Sequence, residues 1–115
     1  MAAFLEYVEL QNARQWPKLY ERLHPAQQRL LSDEEFRVCL EDQVPSGFTV
    51  EVDSIGDPHW VRSKVYGVRD TVRTLAIPYQ GSTQSAGERQ PVAETVTSFS
   101  FTRRRWRFAL HEVCG

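Results

Sequence analysis

A chain of 115 residues with 41% hydrophobic and 25% charged residues is large enough for one core and too short for two domains joined by a linker. Its formal charge of −1, from 14 Lys plus Arg against 15 Asp plus Glu, argues against a protein that lives on nucleic acid or on an anionic membrane. No apolar run approaches the roughly 20 residues of a membrane span, so one globular domain over residues 1–115 is expected.

From Ala2 to Asn12, Phe4, Leu5 and Val8 form one stripe with Glu6 and Glu9 outside it, which predicts an amphipathic helix. Trp16, Leu19, Tyr20 and Leu23 recur at i, i+3, i+4 and i+7, with Pro17 in the first turn, where a missing N–H costs little. His24-Pro25 restarts the chain for a short helix through Leu30 or Leu31. Ser32-Asp33-Glu34-Glu35 is a capping box flanked by Leu31 and Phe36 at staple spacing. It opens a helix to about Gln43 with Phe36, Cys39 and Leu40 inward, stopped by Pro45-Ser46-Gly47.

After Gly47 the period changes to two. Phe48, Val50 and Val52 alternate with polar residues in a first strand, and Gly56-Asp57-Pro58 turns the chain into a second from Trp60 to Val68. A third runs from Thr71 to Tyr79. Gln80 to Pro91 is polar and aperiodic and reads as a long mobile hairpin loop. Val92 to Thr102 and Arg105 to Val113 complete the set, the last strand presenting Trp106, Phe108 and Leu110 on one face. Helices first and a sheet afterwards place the chain in the α+β class.

Cys39 and Cys114 lie 75 positions apart, with no CxxC pair and no His at ligand spacing, which excludes a familiar zinc or redox motif. Two readings stand: a pair of buried thiols, or one disulfide tying a helix to the end of the chain. A bond closing so long a loop contributes on the order of 4 kcal/mol in the chain-entropy description and implies an oxidising compartment. The opening Met1-Ala2-Ala3-Phe4-Leu5-Glu6 forms neither a basic n-region nor an apolar h-region, which leaves the compartment to the cysteines: cytoplasmic if they are free, extracytoplasmic if they are joined.

The string W..LYERL.P..Q..LS.EEF, followed by a meander whose final strand begins Trp106-Arg107, resembles the NTF2-like superfamily, in particular its small lipoprotein-type, lumazine-binding-like branch of exported bacterial proteins. The likeness runs from about Phe4 to Cys114 and rests on spacing and a few aromatic positions. It implies helices packed across a strongly curved antiparallel sheet around a conical cavity. It also implies a Cys39–Cys114 disulfide and an extracytoplasmic location, because that branch pairs cysteines at these places. Relatives carry Asp-Gly or Asn-Gly before the tryptophan strand, whereas this chain has Thr102-Arg103-Arg104-Arg105, so a longer or bulged turn is expected there.

Within such a cone Trp16, Tyr20, Tyr66, Phe99 and Trp106 are the candidate ligand-binding wall, with plain core packing as the competing reading. Enzymes of the superfamily use an Asp or His base with Tyr or protonated Asp donors. Asp53, Asp70, His59 and His111 are the candidates for that role, and none stands in the arrangement that ketosteroid isomerases show. Arg103, Arg104, Arg105 and Arg107 read as a solvated hairpin tip rather than a phosphate site, and the neighbouring Phe99, Phe101, Trp106 and Phe108 as core. No catalytic residue, metal or cofactor is assigned. The expected function is a binding module for a small apolar ligand or protein partner. An acid–base enzyme of the isomerase or cyclase type is the first alternative, and a domain that forms a homodimer through its exposed sheet face is the second.

Overall fold

Four helices precede a five-stranded antiparallel sheet in the computed structural model, which describes residues 1–110. The helices are α1 (Ala2–Asn12), α2 (Trp16–Glu21), α3 (Pro25–Gln28) and α4 (Asp33–Gln43). The strands are β1 (Thr49–Ile55), β2 (His59–Ser63), β3 (Val72–Ser85), β4 (Glu88–Thr102) and β5 (Arg105–Phe108). The α+β class expected from the sequence is the one found. The expected Cys39–Cys114 pairing involves a position outside the described residues; Cys39 itself lies 8% exposed on the inner side of α4 and is disulfide-bonded.

Local chemistry explains the helix boundaries. Arg14 in the left-handed region, at φ 55°, separates α1 from α2. Pro17 occupies the first turn of α2, and the His24 ring accepts a hydrogen bond from the Ala26 N–H at the start of α3. The capping box of α4 is formed in both directions, Glu35 N–H to Ser32 Oγ at 3.1 Å and Ser32 N–H to Glu35 Oε1 at 3.0 Å. Phe36, Cys39 and Leu40 face inward as expected. In α1 the inward positions differ from the expected stripe: Leu5 is 45% exposed, and Tyr7 takes its place beside Phe4.

The sheet runs in the order β1-β3-β4-β5, and β2 shares with β1 one edge of the long β3. β1 pairs with β3 from Tyr79 to Gln84, and β2 pairs with it from Val72 to Ala76. Pro78 falls in the gap between these two ladders, where its missing N–H leaves no ladder bond unmade. The residues expected to form a mobile loop are strand instead. β3 continues to Ser85 and β4 begins at Glu88, with Ala86 (φ 53°) and Gly87 (φ 80°) forming the tight turn between them. Gly81 lets this ribbon approach β1, because a Cβ there would stand 1.9 Å from the Glu51 carbonyl oxygen.

β2 is shorter than expected, ending at Ser63, because Val65 turns inward to 3% exposure. The chain there is pinned through Gln27, which is fully buried. Its Nε2 donates to the carbonyls of Tyr66 (3.0 Å) and Leu110 (2.7 Å), and its Oε1 accepts from the Leu110 N–H (2.8 Å). The outer edge of β5 is covered by the chain after α2, through Phe108 N–H to the Arg22 carbonyl and His24 N–H to the Phe108 carbonyl.

The β4–β5 turn also departs from expectation. Thr102 pairs directly with Arg105, so the connection is a two-residue turn in which Arg103 (φ 54°) and Arg104 (φ 64°) both adopt positive φ. Two side-chain-bearing residues are thus held where Asn and Gly are at ease. Replacing the pair by Asn-Gly is expected to raise the unfolding free energy by about 1–2 kcal/mol in urea titrations. An unchanged or lowered value would show that the turn is not strained.

The core lies between the helices and one face of the sheet. Phe4, Leu19, Leu23, Phe36 and Ile77 are each at most 1% exposed. A seam of ring contacts joins Tyr79 to Phe4, Phe4 to Phe99, Phe99 to Tyr7, Tyr7 to Phe108, Phe108 to Phe36 and Phe36 to Tyr20, at centroid distances from 4.9 to 6.1 Å.

Candidate functional site

The seam does not continue to the end of the sheet. Phe99 pairs with Phe108 and Phe101 with Trp106 across β4 and β5, so strand alternation puts all four rings on one face. α1 crosses that face and covers Phe99 and Phe108. Its first turn offers only Ala2 and Ala3, whose small side chains leave space over Phe101 and Trp106. The result is a pocket of about 380 Å³, floored by Tyr7, Phe99, Phe101, Trp106 and Phe108. That volume suits a small organic ligand. Phe101 is 54% exposed at its mouth, against the expectation that it would belong to the core.

Trp106 is held in place from outside the pocket. Its indole stacks on Trp60 of β2, with centroids 5.8 Å apart and planes 18° from parallel, and Phe101 meets it edge-on at 5.2 Å. β2 and β5 stand three strand spacings apart in the sheet, about 14 Å if it were flat. The two indoles therefore reach toward each other across β3 and β4. Arg73 lies over the other ring of this pair, 4.2 Å from the Trp60 centroid.

The rim is charged. Glu6 and Arg22 form an ion pair there, and Arg104 and Arg105 of the hairpin also line the pocket, Arg105 sharing a neighbouring hollow with Arg22. The Tyr7 phenol, deep in the pocket wall, is pushed up to about 12 by burial and, secondarily, by Tyr79. It stays protonated at neutral pH. Tyr79 is raised in the same direction by burial and by Glu94, to whose Oε2 it donates at 3.3 Å.

Of the five residues expected to form a ligand-binding wall, the structure brings Phe99 and Trp106 together at this pocket. Trp16 is 3% exposed in the core, with the Arg14 guanidinium 5.1 Å from its ring centroid. Tyr20 ties α2 to the following segment through its hydroxyl, which donates to the Leu31 carbonyl (2.5 Å) and lies 3.1 Å from that of Gln28. Tyr66 lies in the β2–β3 connection, pinned through its backbone by Gln27 and Leu110. No family model, curated protein or solved structure matches the chain.

Asp53, Asp70 and His59 are exposed and do not line the pocket, and His111 lies outside the described residues. Among the described residues no cluster of His, Cys, Asp or Glu could hold a metal ion, and no helix is long and apolar enough to cross a membrane. Sequence reasoning missed Tyr7, Arg22 and the two alanines. Tyr7 had a signal, its i+3 spacing from Phe4, but Leu5 and Val8 satisfied the apolar stripe without it. A second hollow of about 400 Å³ runs along α4 past Val38, with Glu34, Glu35 and Asp42 beside it.

Proposed function

We propose that this chain is an NTF2-like, extracytoplasmic binding module that holds a small apolar ligand in the aromatic pocket between α1 and the β4–β5 hairpin. The observation that carries the reading is the exposed continuation of the aromatic floor, Phe101 and Trp106, beneath the two alanines that open α1. An apolar concave surface with a few polar groups at its edge is the usual form of a small-molecule site. The order of helices before an antiparallel sheet is consistent with the NTF2-like assignment, and the disulfide at Cys39 supports an oxidising compartment. Binding is favoured over acid–base chemistry by the state of the titratable groups that line the pocket. Glu6 is engaged by Arg22, and Tyr7 is held protonated far above neutral pH.

Filling the space tests this. The neutral fluorophore N-phenyl-1-naphthylamine is expected to bind the chain with enhanced emission, and Ala3→Phe, which places a ring in the pocket, is expected to weaken it at least tenfold. Ala2→Phe fills the same space from a more exposed position should the first variant not fold. Undiminished affinity in a folded filling variant would remove the pocket as the site.

A further inference from the structure

We propose that the ligand of this pocket is an amphiphilic anion, a planar apolar body carrying one carboxylate, with the charged group received by Arg104 and Arg105 at the hairpin; this rests on the reading of the pocket as a ligand site. Three of the eleven lining residues are arginines and one is an acid. Arg22 is committed to Glu6 and to the Lys18 carbonyl. Arg104 and Arg105 take part in none of the four ion pairs among the described residues, so they are the cations that remain for a ligand. Both line the same pocket as Phe101 and Trp106, Arg104 from the turn and Arg105 from the edge strand, and a guanidinium fork matches a carboxylate in two parallel hydrogen bonds.

Two further features agree. α1 begins at the same pocket, with no side-chain cap from Met1 and no acid in its first turn, so its N-terminal amide end favours negative charge there. The turn that presents Arg104 keeps it at φ 64° after Arg103 at φ 54°, where Asn-Gly would form the same turn without strain. A strained position held by an arginine that lines a pocket is the arrangement expected when the residue is used. Glu6 does not oppose an anion with its full charge, because Arg22 pairs with it.

Displacement of bound N-phenyl-1-naphthylamine by 2-naphthoate and by 2-naphthamide, ligands of nearly equal shape, separates the inference from the reading beneath it. Naphthoate is expected to displace the fluorophore about tenfold more effectively than the amide. Arg104→Asn together with Arg105→Gln should abolish that preference while leaving the amide unchanged. Arg103→Asn, in the same turn but outside the pocket, should leave both unchanged. Equal displacement by the two ligands would overturn the anion inference while the apolar site stands. Failure of the fluorophore itself to bind would overturn both.

Discussion

Phe36→Ala is expected to cost about 3–5 kcal/mol of unfolding free energy, measured by urea titration followed through tryptophan fluorescence. Phe36 is fully buried and touches both Tyr20, at 5.6 Å between centroids, and Phe108, at 6.1 Å. It therefore joins α4 to α2 and to the last strand. Truncation removes the transfer free energy of a whole ring, and the cavity lies among large side chains from three elements that cannot all collapse into it. Leu5→Ala provides the contrast. At 45% exposure that leucine leaves little unfilled space behind, and a loss below about 1 kcal/mol is expected. Comparable losses for the two variants would mean that the core is not centred on the seam that Phe36 joins.

Gln27→Ala is expected to destabilise the fold by about 3 kcal/mol through a different mechanism. Its side chain occupies both donors and one acceptor on backbone groups of Tyr66 and Leu110, positions far apart in sequence. Removing it strands the Tyr66 carbonyl and the Leu110 N–H around a fully buried side-chain position, while the Leu110 carbonyl keeps the Tyr66 N–H; each unmet group costs more than an average hydrogen bond contributes. Gln27→Glu sharpens the test. A carboxylate aimed at two carbonyls raises its own folded-state pKa above the unfolded value of about 4.3. A raised folded pKa means that stability is present below the unfolded pKa and lost as pH rises through the folded one. The Glu variant should therefore be the less stable of the two at neutral pH and recover part of its loss in acid. A Glu variant as stable as the native chain at neutral pH would show that the clamp is not closed in solution.

Sequence marked the helical half closely because its signals are local. The capping box at Ser32, Pro17 in a first turn and the His24-Pro25 restart each act within a few residues, and α4 begins and ends where those rules place it. The β-ribbon from Gln80 to Pro91 was illegible for a physical reason. It lacks an apolar alternation, since Gly81, Ser82 and Thr83 meet β1 backbone to backbone, and Glu88 to Pro91 are exposed. What makes it strand is a ladder to β1 and β4, which composition does not record. Pro91 misled in the same direction. β5 pairs with β4 only from Phe99 to Thr102, so Pro91 sits on an edge where a missing donor is tolerated.

The site followed the same division. Strand alternation placed Phe99 and Trp106 on one sheet face, and the resemblance placed them at a cavity wall. Their pocket was not legible, because it depends on α1 beginning with two alanines opposite them and on a hairpin tight enough to bring Arg104 and Arg105 to the mouth. Trp16, Tyr20 and Tyr66 show why aromatic residues alone do not locate a cavity. One fills core, one bonds the Leu31 carbonyl and one lies in a loop held through its backbone.

An amide and indole NMR map of the chain titrated with N-phenyl-1-naphthylamine locates the ligand directly. The pocket reading predicts that the largest shifts fall on Ala2 to Tyr7, on Phe101 to Trp106 and on the Trp106 indole N–H. Shifts gathered instead along α4 at Val38, Cys39 and Asp42, with α1 and the hairpin unmoved, would contradict it.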